Sequence, residues 1–160
     1  MELLTILNHC HHHRGFVYQH PRFGPDKKTI EVDVRPRRGT AALCSECHQP
    51  APGYDHLPER RFEFITFWGF LVFFLYRRRR VNCRQCGVVA EFLPWSDGKH
   101  QLTKAYMLFL ARWARKLSWK ETAEAFHTSW DKVCDAVEYV VGWGLEHRCV
   151  FRRCRLGVPT

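Results

Sequence analysis

Residues 62–87 read FEFITFWGFLVFFLYRRRRVNCRQCG, and this stretch decides how the first half of the chain folds. Its first 15 residues are almost wholly apolar, but a membrane-spanning helix needs about 20 such residues and Glu63 interrupts the run. Aromatic and β-branched side chains favour strands, and Trp68 with Gly69 can form a tight turn. The sequence therefore predicts a β-hairpin over residues 62–81 rather than a membrane helix. A short third strand is predicted at residues 88–93.

The hairpin leads into the second of two Cys-x2-Cys pairs, CSEC at residues 44–47 and CRQC at residues 83–86. Two thiolates at positions i and i+3 in a tight knuckle face one side of a metal ion. Two such knuckles complete the tetrahedron that Zn2+ accepts in closed structural sites. We predict one structural zinc ion per chain, held by four ligands: Cys44, Cys47, Cys83 and Cys86. Four thiolates leave no open position for water, so catalysis by this metal is not expected.

Other interpretations of the cysteines stay open. The four residues could form two core or redox pairs, or they could hold an iron–sulfur cluster. His48, which follows Cys47 where glycine is expected, or His56 could replace one cysteine as a ligand. Disulfides are disfavoured because the first residues lack the basic start and the cleavage site of a signal peptide, which predicts a reducing cytosol.

Further patterns predict an α+β protein. Residues 29–36, TIEVDVRP, alternate apolar and polar side chains as a half-buried strand does, with Ile30, Val32 and Val34 on one face. Pro50, Pro52, Gly53 and Pro58 predict loops before the hairpin. Helical spacing of apolar residues predicts three helices, over residues 103–116, 119–126 and 130–141. We expect a small β zinc ribbon followed by a helical helix-turn-helix domain, divided as an N-terminal segment (1–28), a zinc-ribbon domain (29–95), a helix-turn-helix domain (99–148) and a tail (149–160).

Residues 118–141, SWKETAEAFHTSWDKVCDAVEYVV, fit a helix-turn-helix. Small or apolar residues stand where two crossing helices would pack: Ala123, Phe126, Val133 and Ala136. Thr128 or Ser129 would cap the second helix. Its first turn would present three residues to the major groove of DNA: Ser129, Trp130 and Lys132. An ordinary helical hairpin matches the same pattern, and His127 stands where the turn often has glycine.

The net charge of the chain predicts an anionic partner. The chain has 25 Lys and Arg against 16 Asp and Glu, a net charge of +9, which favours nucleic acid or an anionic membrane surface. Arginines cluster at the ends of two predicted strands, where their guanidinium groups could contact phosphates: Arg35, Arg37, Arg38, Arg77, Arg78, Arg79 and Arg80. The alternative is a solvated strand end that protects an apolar hairpin from aggregation.

The order of these features resembles the N-terminal region of the ISL-three family of bacterial insertion-sequence transposases, over roughly residues 29–148. The matching motifs are RPRR, CSEC, PERRF, RRRRVNCRQCG and LSWKETAEAF. The resemblance implies that the four cysteines bind zinc, that residues 129–132 contact DNA and that the target is a terminal inverted repeat. It also implies that a later RNase-H-like domain, with three carboxylates and Mg2+, cuts and joins DNA. No acidic residue of this chain matches that triad.

We therefore expect a truncated or derivative transposase chain that binds double-stranded DNA and is not itself an enzyme. A homodimer, or association with full-length transposase, is expected, with no membrane and no small-molecule substrate as partner. Its predicted location is the bacterial cytoplasm, at the nucleoid. One alternative is a protein–protein adaptor that binds an intact transposase through an aromatic face. An active nuclease is disfavoured, because Asp131 and Asp135 lie one helical turn apart as surface or capping residues do.

Overall fold

The structure, a computed structural model, describes residues 2–98 and 100–154, with side chains as far as residue 147. The chain separates into two compact units, and the boundary falls between Thr103 and Lys104. In chain order, the elements are α1 (Leu3–Cys10), β1 (Phe16–Phe23), β2 (Thr29–Pro36), β3 (Ala42–Leu43), β4 (Pro50–Ala51), β5 (Gly53–Phe67), β6 (Phe70–Cys83), β7 (Gly87–Ala90), α2 (Lys104–Trp113), α3 (Trp119–Ala125) and α4 (Trp130–Cys154). No helix in this described part has the length and apolar character needed to cross a membrane.

A mixed five-stranded sheet forms the frame of the first unit. Its strands run in the order β1-β2-β6-β5, and β7 pairs with one end of β6. The β2 and β6 strands are parallel, with Val32 opposite Phe74, whereas all other neighbours are antiparallel. Strands β3 and β4 form a separate two-stranded sheet. The α+β class predicted from the sequence is confirmed.

The predicted hairpin is confirmed, and it is longer than expected. Trp68 and Gly69 connect β5 to β6 with φ angles of 50° and 81°, the pair of positive values that a type I′ turn requires. Strand β5 begins at Gly53, so the loop that we predicted around Pro58 was wrong. The pairing shifts register between His56 and Glu59, and such a bulge admits a proline into an edge strand because the bulged residue needs no ladder hydrogen bond.

Residues 16–23, which we placed in a separate N-terminal segment, form an edge strand of the main sheet. Strand β1 pairs with β2 from Phe16–Pro36 to Phe23–Ile30, and its register shifts between Gln19 and Arg22. The hydroxyl of Tyr18 donates to the backbone carbonyl of His11 at 2.7 Å, which ties the strand to the segment after α1. The strand FVYQHPRF lacks regular alternation, and this explains why periodicity did not reveal it.

One face of the main sheet carries the core of the first unit. Val32 and Val34 are buried there as the strand pattern predicted, and Ile30 is half-buried. Trp95, which follows β7, is 2% exposed. Its ring lies edge-on to those of Phe16, Tyr76 and Phe62, with centroids 4.7, 5.4 and 6.2 Å apart. The segment after β7 therefore closes this face of the sheet.

The three predicted helices of the second half are confirmed as α2, α3 and α4. Ala123, Val133 and Ala136 are buried, as their predicted packing positions require. Phe126 is half-buried, and its ring lies against those of Phe109 and Trp113. Helix α4 runs on to Cys154, so the first residues of the predicted tail continue the helix. Residues 155–160 of that tail lie outside the described residues.

Candidate metal centre and basic surfaces

Four thiol groups from two knuckles meet in the first unit: Cys44, Cys47, Cys83 and Cys86. Their sulfur atoms all lie within 4.8 Å of one another. The Sγ atoms of Cys47 and Cys83 are 3.5 Å apart, well beyond the roughly 2.05 Å of a disulfide bond. Within residues 2–98 and 100–147, no other group of three or more histidine, cysteine or acidic side chains has this geometry. The cluster could therefore hold a metal ion, and it needs neither His48 nor His56.

The residue that follows each knuckle has a positive φ angle. Gly87, which follows the second knuckle, has a φ of 77°, and His48, which follows the first, has a φ of 57°. An L-residue in this region costs about 1–2 kcal/mol relative to glycine. The backbone N–H of His48 donates to the carbonyl of Cys44 at 3.1 Å, and its ring lies edge-on to Phe92 at 4.7 Å. His48 therefore closes and packs the knuckle instead of ligating a metal.

Strand pairing brings the knuckles together. The N–H of Ser45 donates to the carbonyl of Ala90 at 3.2 Å, and the N–H of Phe92 donates to the carbonyl of Leu43 at 2.8 Å. These bonds join the first knuckle and the strand before it to β7 and the segment after it, and β7 pairs with β6 beside Cys83. Small and apolar residues pack beneath the sulfur atoms: Ala42, Ala51 and Val81.

The thiols of the cluster do not share one acidity. Backbone N–H groups of Cys86 and Gln85 bond to the sulfur of Cys83 and lower its pKa to about 7. Desolvation, followed by the neighbouring thiols, raises the pKa of Cys86 to about 12. Like charges this close oppose one another's ionisation, so the four sulfurs need a cation before all can be thiolates. This donor set fits a metal ion that binds thiolate.

Three of the four consecutive arginines form hydrogen bonds or ion pairs within the chain. Nε and Nη2 of Arg78 donate to the backbone carbonyl of Glu91 at 3.0 and 2.6 Å. Arg79 binds the Glu91 carboxylate, and Arg80 binds that of Asp55. Arg77 is exposed, and Arg80 is partly exposed beside Asp55. The arginine run, predicted as a surface for phosphates, therefore also stabilises the fold.

Glu91 is a buried charged residue of this region that sequence reasoning missed. Its side chain is 1% exposed, and its carboxylate accepts hydrogen bonds from the Tyr76 hydroxyl at 2.6 Å and from the backbone N–H of Arg79 at 2.7 Å. A buried carboxylate persists only where such partners surround it. The sequence did offer a signal: Glu91 is a single acidic residue directly after the apolar residues 88–90, and the run of four arginines lies earlier, at residues 77–80.

The remaining predicted phosphate contacts occupy two places. Arg35 and Arg77 line one cavity of about 380 Å3, which also contains the acidic residues Asp33 and Glu59. Arg37 and Arg38 follow β2 and are exposed. The basic residues thus alternate with carboxylates on the sheet, whereas the turn after β2 carries unbalanced positive charge.

The start of α4 carries the other predicted DNA contacts. The hydroxyl of Ser129 accepts a hydrogen bond from the backbone N–H of Lys132 at 3.3 Å. Of the two predicted caps of the helix, Thr128 and Ser129, it is therefore Ser129 that caps α4. Ser129 and Trp130 are exposed and Lys132 is half-buried. The turn before them contains His127 with a φ of 52°, which places histidine in the left-handed conformation usually taken by glycine.

A second cap lies at the start of α3. Ser118 and Glu121 form a reciprocal capping box, in which each side chain binds the other residue's backbone N–H. The spacing Ser-x-x-Glu is visible in the sequence, and it could have predicted this boundary.

The sites described above are defined by the geometry of this chain alone. No family model, no curated protein and no solved structure matches this chain significantly.

Proposed function

We propose that the chain is a zinc-stabilised, double-stranded DNA-binding module related to the N-terminal region of a bacterial insertion-sequence transposase. Cys44, Cys47, Cys83 and Cys86 would hold one structural Zn2+. With Zn–S bonds of about 2.3 Å, the sulfurs of a tetrahedral site lie about 3.8 Å apart. The 3.5 Å contact and the 4.8 Å limit within the cluster are compatible with that geometry. Zinc would stabilise the two knuckles without taking part in a reaction.

The exposed, capped first turn of α4 is the observation that carries the DNA-binding proposal. Ala123 of α3 and Val133 of α4 are buried, so the two helices pack against other parts of their unit. Ser129 and Trp130 instead remain exposed at the helix start. In a helix-turn-helix, this is the part of the second helix that enters the major groove. The helix N-terminus also favours the negative charge of a phosphate.

Phosphate contacts in this proposal come from exposed arginines. Arg37 and Arg38 are exposed on the turn after β2, and Arg77 is exposed on β6. Arg79 is 18% exposed and ion-paired, so using it for DNA would break a buried contact. The net charge of +9 would add nonspecific attraction to the duplex.

A salt titration tests the proposal. The affinity of the purified chain for a labelled duplex oligonucleotide would be measured by fluorescence anisotropy between about 50 and 200 mM salt. The logarithm of the affinity should fall linearly with the logarithm of the salt concentration, by about 0.9 for each phosphate that the chain neutralises. We expect Ser129→Ala/Trp130→Ala to weaken binding at least about tenfold, the loss of roughly one good base contact. Trp143→Ala, a change at a tryptophan that is 54% exposed on the same helix, serves as the matched control. Equal loss in both variants, or a slope near zero, contradicts the proposal.

Exposed aromatic residues at the hairpin favour the adaptor as a second candidate. Trp68 is 86% exposed at the turn and stacks on Phe67, with ring centroids 4.8 Å apart. Phe23, 63% exposed, lies near Phe70 at 5.5 Å. Aromatic residues are enriched at protein interfaces. If this surface binds a protein such as an intact transposase, Trp68→Ser should abolish the complex. High salt should leave the complex intact, because the contact is aromatic.

A further inference from the structure

A cavity of about 720 Å3 opens in the first unit, beside the first knuckle. The larger apolar side chains in its wall are those of Phe16, Leu43, Phe92 and Pro94. Its volume falls within the roughly 300–1,000 Å3 typical of small-molecule sites, which are concave and mostly apolar with a few polar groups. Nothing in the sequence indicated such a site, because these residues come from three separate segments.

Besides Arg79, two arginine side chains line the same cavity, those of Arg14 and Arg37. Backbone pairing places them side by side: the N–H of Arg37 donates to the carbonyl of Gly15 at 2.8 Å, and Phe16 pairs with Pro36 in the sheet. Both arginines are exposed. Within the described residues, neither guanidinium has a carboxylate at ion-pair distance.

The acidic residue of the cavity wall, Glu91, does not cancel this charge. Its carboxylate is bound by Nε and Nη2 of Arg79, at 2.8 and 2.7 Å, and by the Tyr76 hydroxyl. An anion entering the cavity would therefore meet a neutralised pair in the wall and two uncompensated guanidinium groups. Guanidinium groups bind phosphate through paired, parallel hydrogen bonds.

We propose that this cavity binds a nucleotide. The base would lie against the apolar wall formed by Phe16, Leu43 and Phe92, and the phosphate would bind Arg14 and Arg37. Aromatic side chains accept any base through its π-face, so the site is suited to nucleotides as a class. The nucleotide can be a free monophosphate or a residue unstacked from a single strand. The cavity lies within the first unit and does not depend on duplex binding by α4.

Isothermal titration calorimetry of the full chain tests the proposal, with deoxyadenosine monophosphate, deoxyadenosine and inorganic phosphate as separate titrants. We expect the monophosphate to bind more tightly than either fragment, since it alone fills both parts of the site. Arg14→Gln/Arg37→Gln should weaken its binding at least about tenfold through loss of charge-assisted bonds. Lys27→Gln/Lys28→Gln, which removes two exposed charges outside the cavity, should change it less than about twofold.

A short single-stranded oligonucleotide distinguishes the two sources. If it competes with the monophosphate and loses affinity in Arg14→Gln/Arg37→Gln, the site accepts a base unstacked from a strand. If it does not compete, the site takes the free nucleotide. Inorganic phosphate binding as tightly as the monophosphate, equal losses in the two double variants, or no binding of either nucleotide form overturns the proposal. Duplex affinity of Ser129→Ala/Trp130→Ala is a separate measurement, so either proposal can fail alone.

Discussion

Glu91 and Arg79 form a buried ion pair that joins the hairpin to the segment beside the first knuckle. Nη2 and Nε of Arg79 lie 2.7 and 2.8 Å from Oε2 of Glu91, and the two side chains are 18% and 1% exposed. The backbone of Glu91 also forms a bridge with Cys44. The position of the candidate metal centre is therefore coupled to one arginine of the run 77–80.

Arg79→Met should lower the free energy of unfolding by about 3–5 kcal/mol, because it leaves a buried carboxylate without its counter-charge. Urea denaturation followed by circular dichroism measures this. Arg80→Met is the matched control, since Arg80 and its partner Asp55 are 40% and 41% exposed and solvent can replace that contact. Equal effects of the two substitutions would contradict the structural role assigned to Glu91.

Elemental analysis should find one zinc ion per chain, and Cys83→Ser should remove it. Since a structural metal contributes directly to folding, the variant and the chelator-treated protein should lose the fold of the first unit while the helical circular dichroism signal of α2 to α4 persists. Cys134→Ser provides the control, because that thiol lies on α4, 3.7 Å from the Glu138 carboxylate. Iron in place of zinc would overturn the zinc assignment, and a single cooperative loss of all structure would contradict two independent units.

Gly69→Ala should destabilise the hairpin by about 1–2 kcal/mol, the cost of an L-residue in the left-handed region. Gly69 has a φ of 81°, and no neighbouring atom would clash with an added Cβ, so the effect isolates backbone conformation. Gly53→Ala is the control: an added Cβ there also meets open space, but φ is not positive. Thermal denaturation compares the two variants. A neutral Gly69→Ala substitution would show that the turn is not type I′.

The carboxyl of Glu121 should titrate below its usual range. Hydrogen bonds from the Ser118 hydroxyl and N–H, at 2.7 and 2.8 Å, lower its pKa. A lowered folded-state pKa stabilises α3 above the unfolded value of about 4.3, and this contribution is lost as pH falls through the folded-state pKa. Carbon-13 NMR titration should show the shift in the native chain and a partial return to the usual range in Ser118→Ala. Ser129→Ala, which alters the cap of α4, should leave this titration unchanged.

Local patterns predicted several features well. The hairpin turn at Trp68 and Gly69, the alternation of Val32 and Val34 and the three helices depend on neighbours in sequence, so periodicity and turn chemistry were sufficient. Strand β1 escaped prediction because its burial depends on pairing with β2 instead of on its own alternation. The extension of β5 through Pro58 likewise needed a bulge that only the partner strand defines.

The sequence by itself determined the candidate ligands, since Cys-x2-Cys spacing places two thiols on one side of a knuckle wherever it folds. It also determined the excess of positive charge. Only the tertiary structure decided how the two knuckles meet, that Arg78, Arg79 and Arg80 are engaged within the fold, and that Arg14 and Arg37 share the rim of a cavity. Each of these outcomes depends on strand pairing between segments distant along the chain. Spacing could predict that the cysteines meet, because a metal ion needs all four, but composition and spacing do not specify the strand pairing that places the arginines.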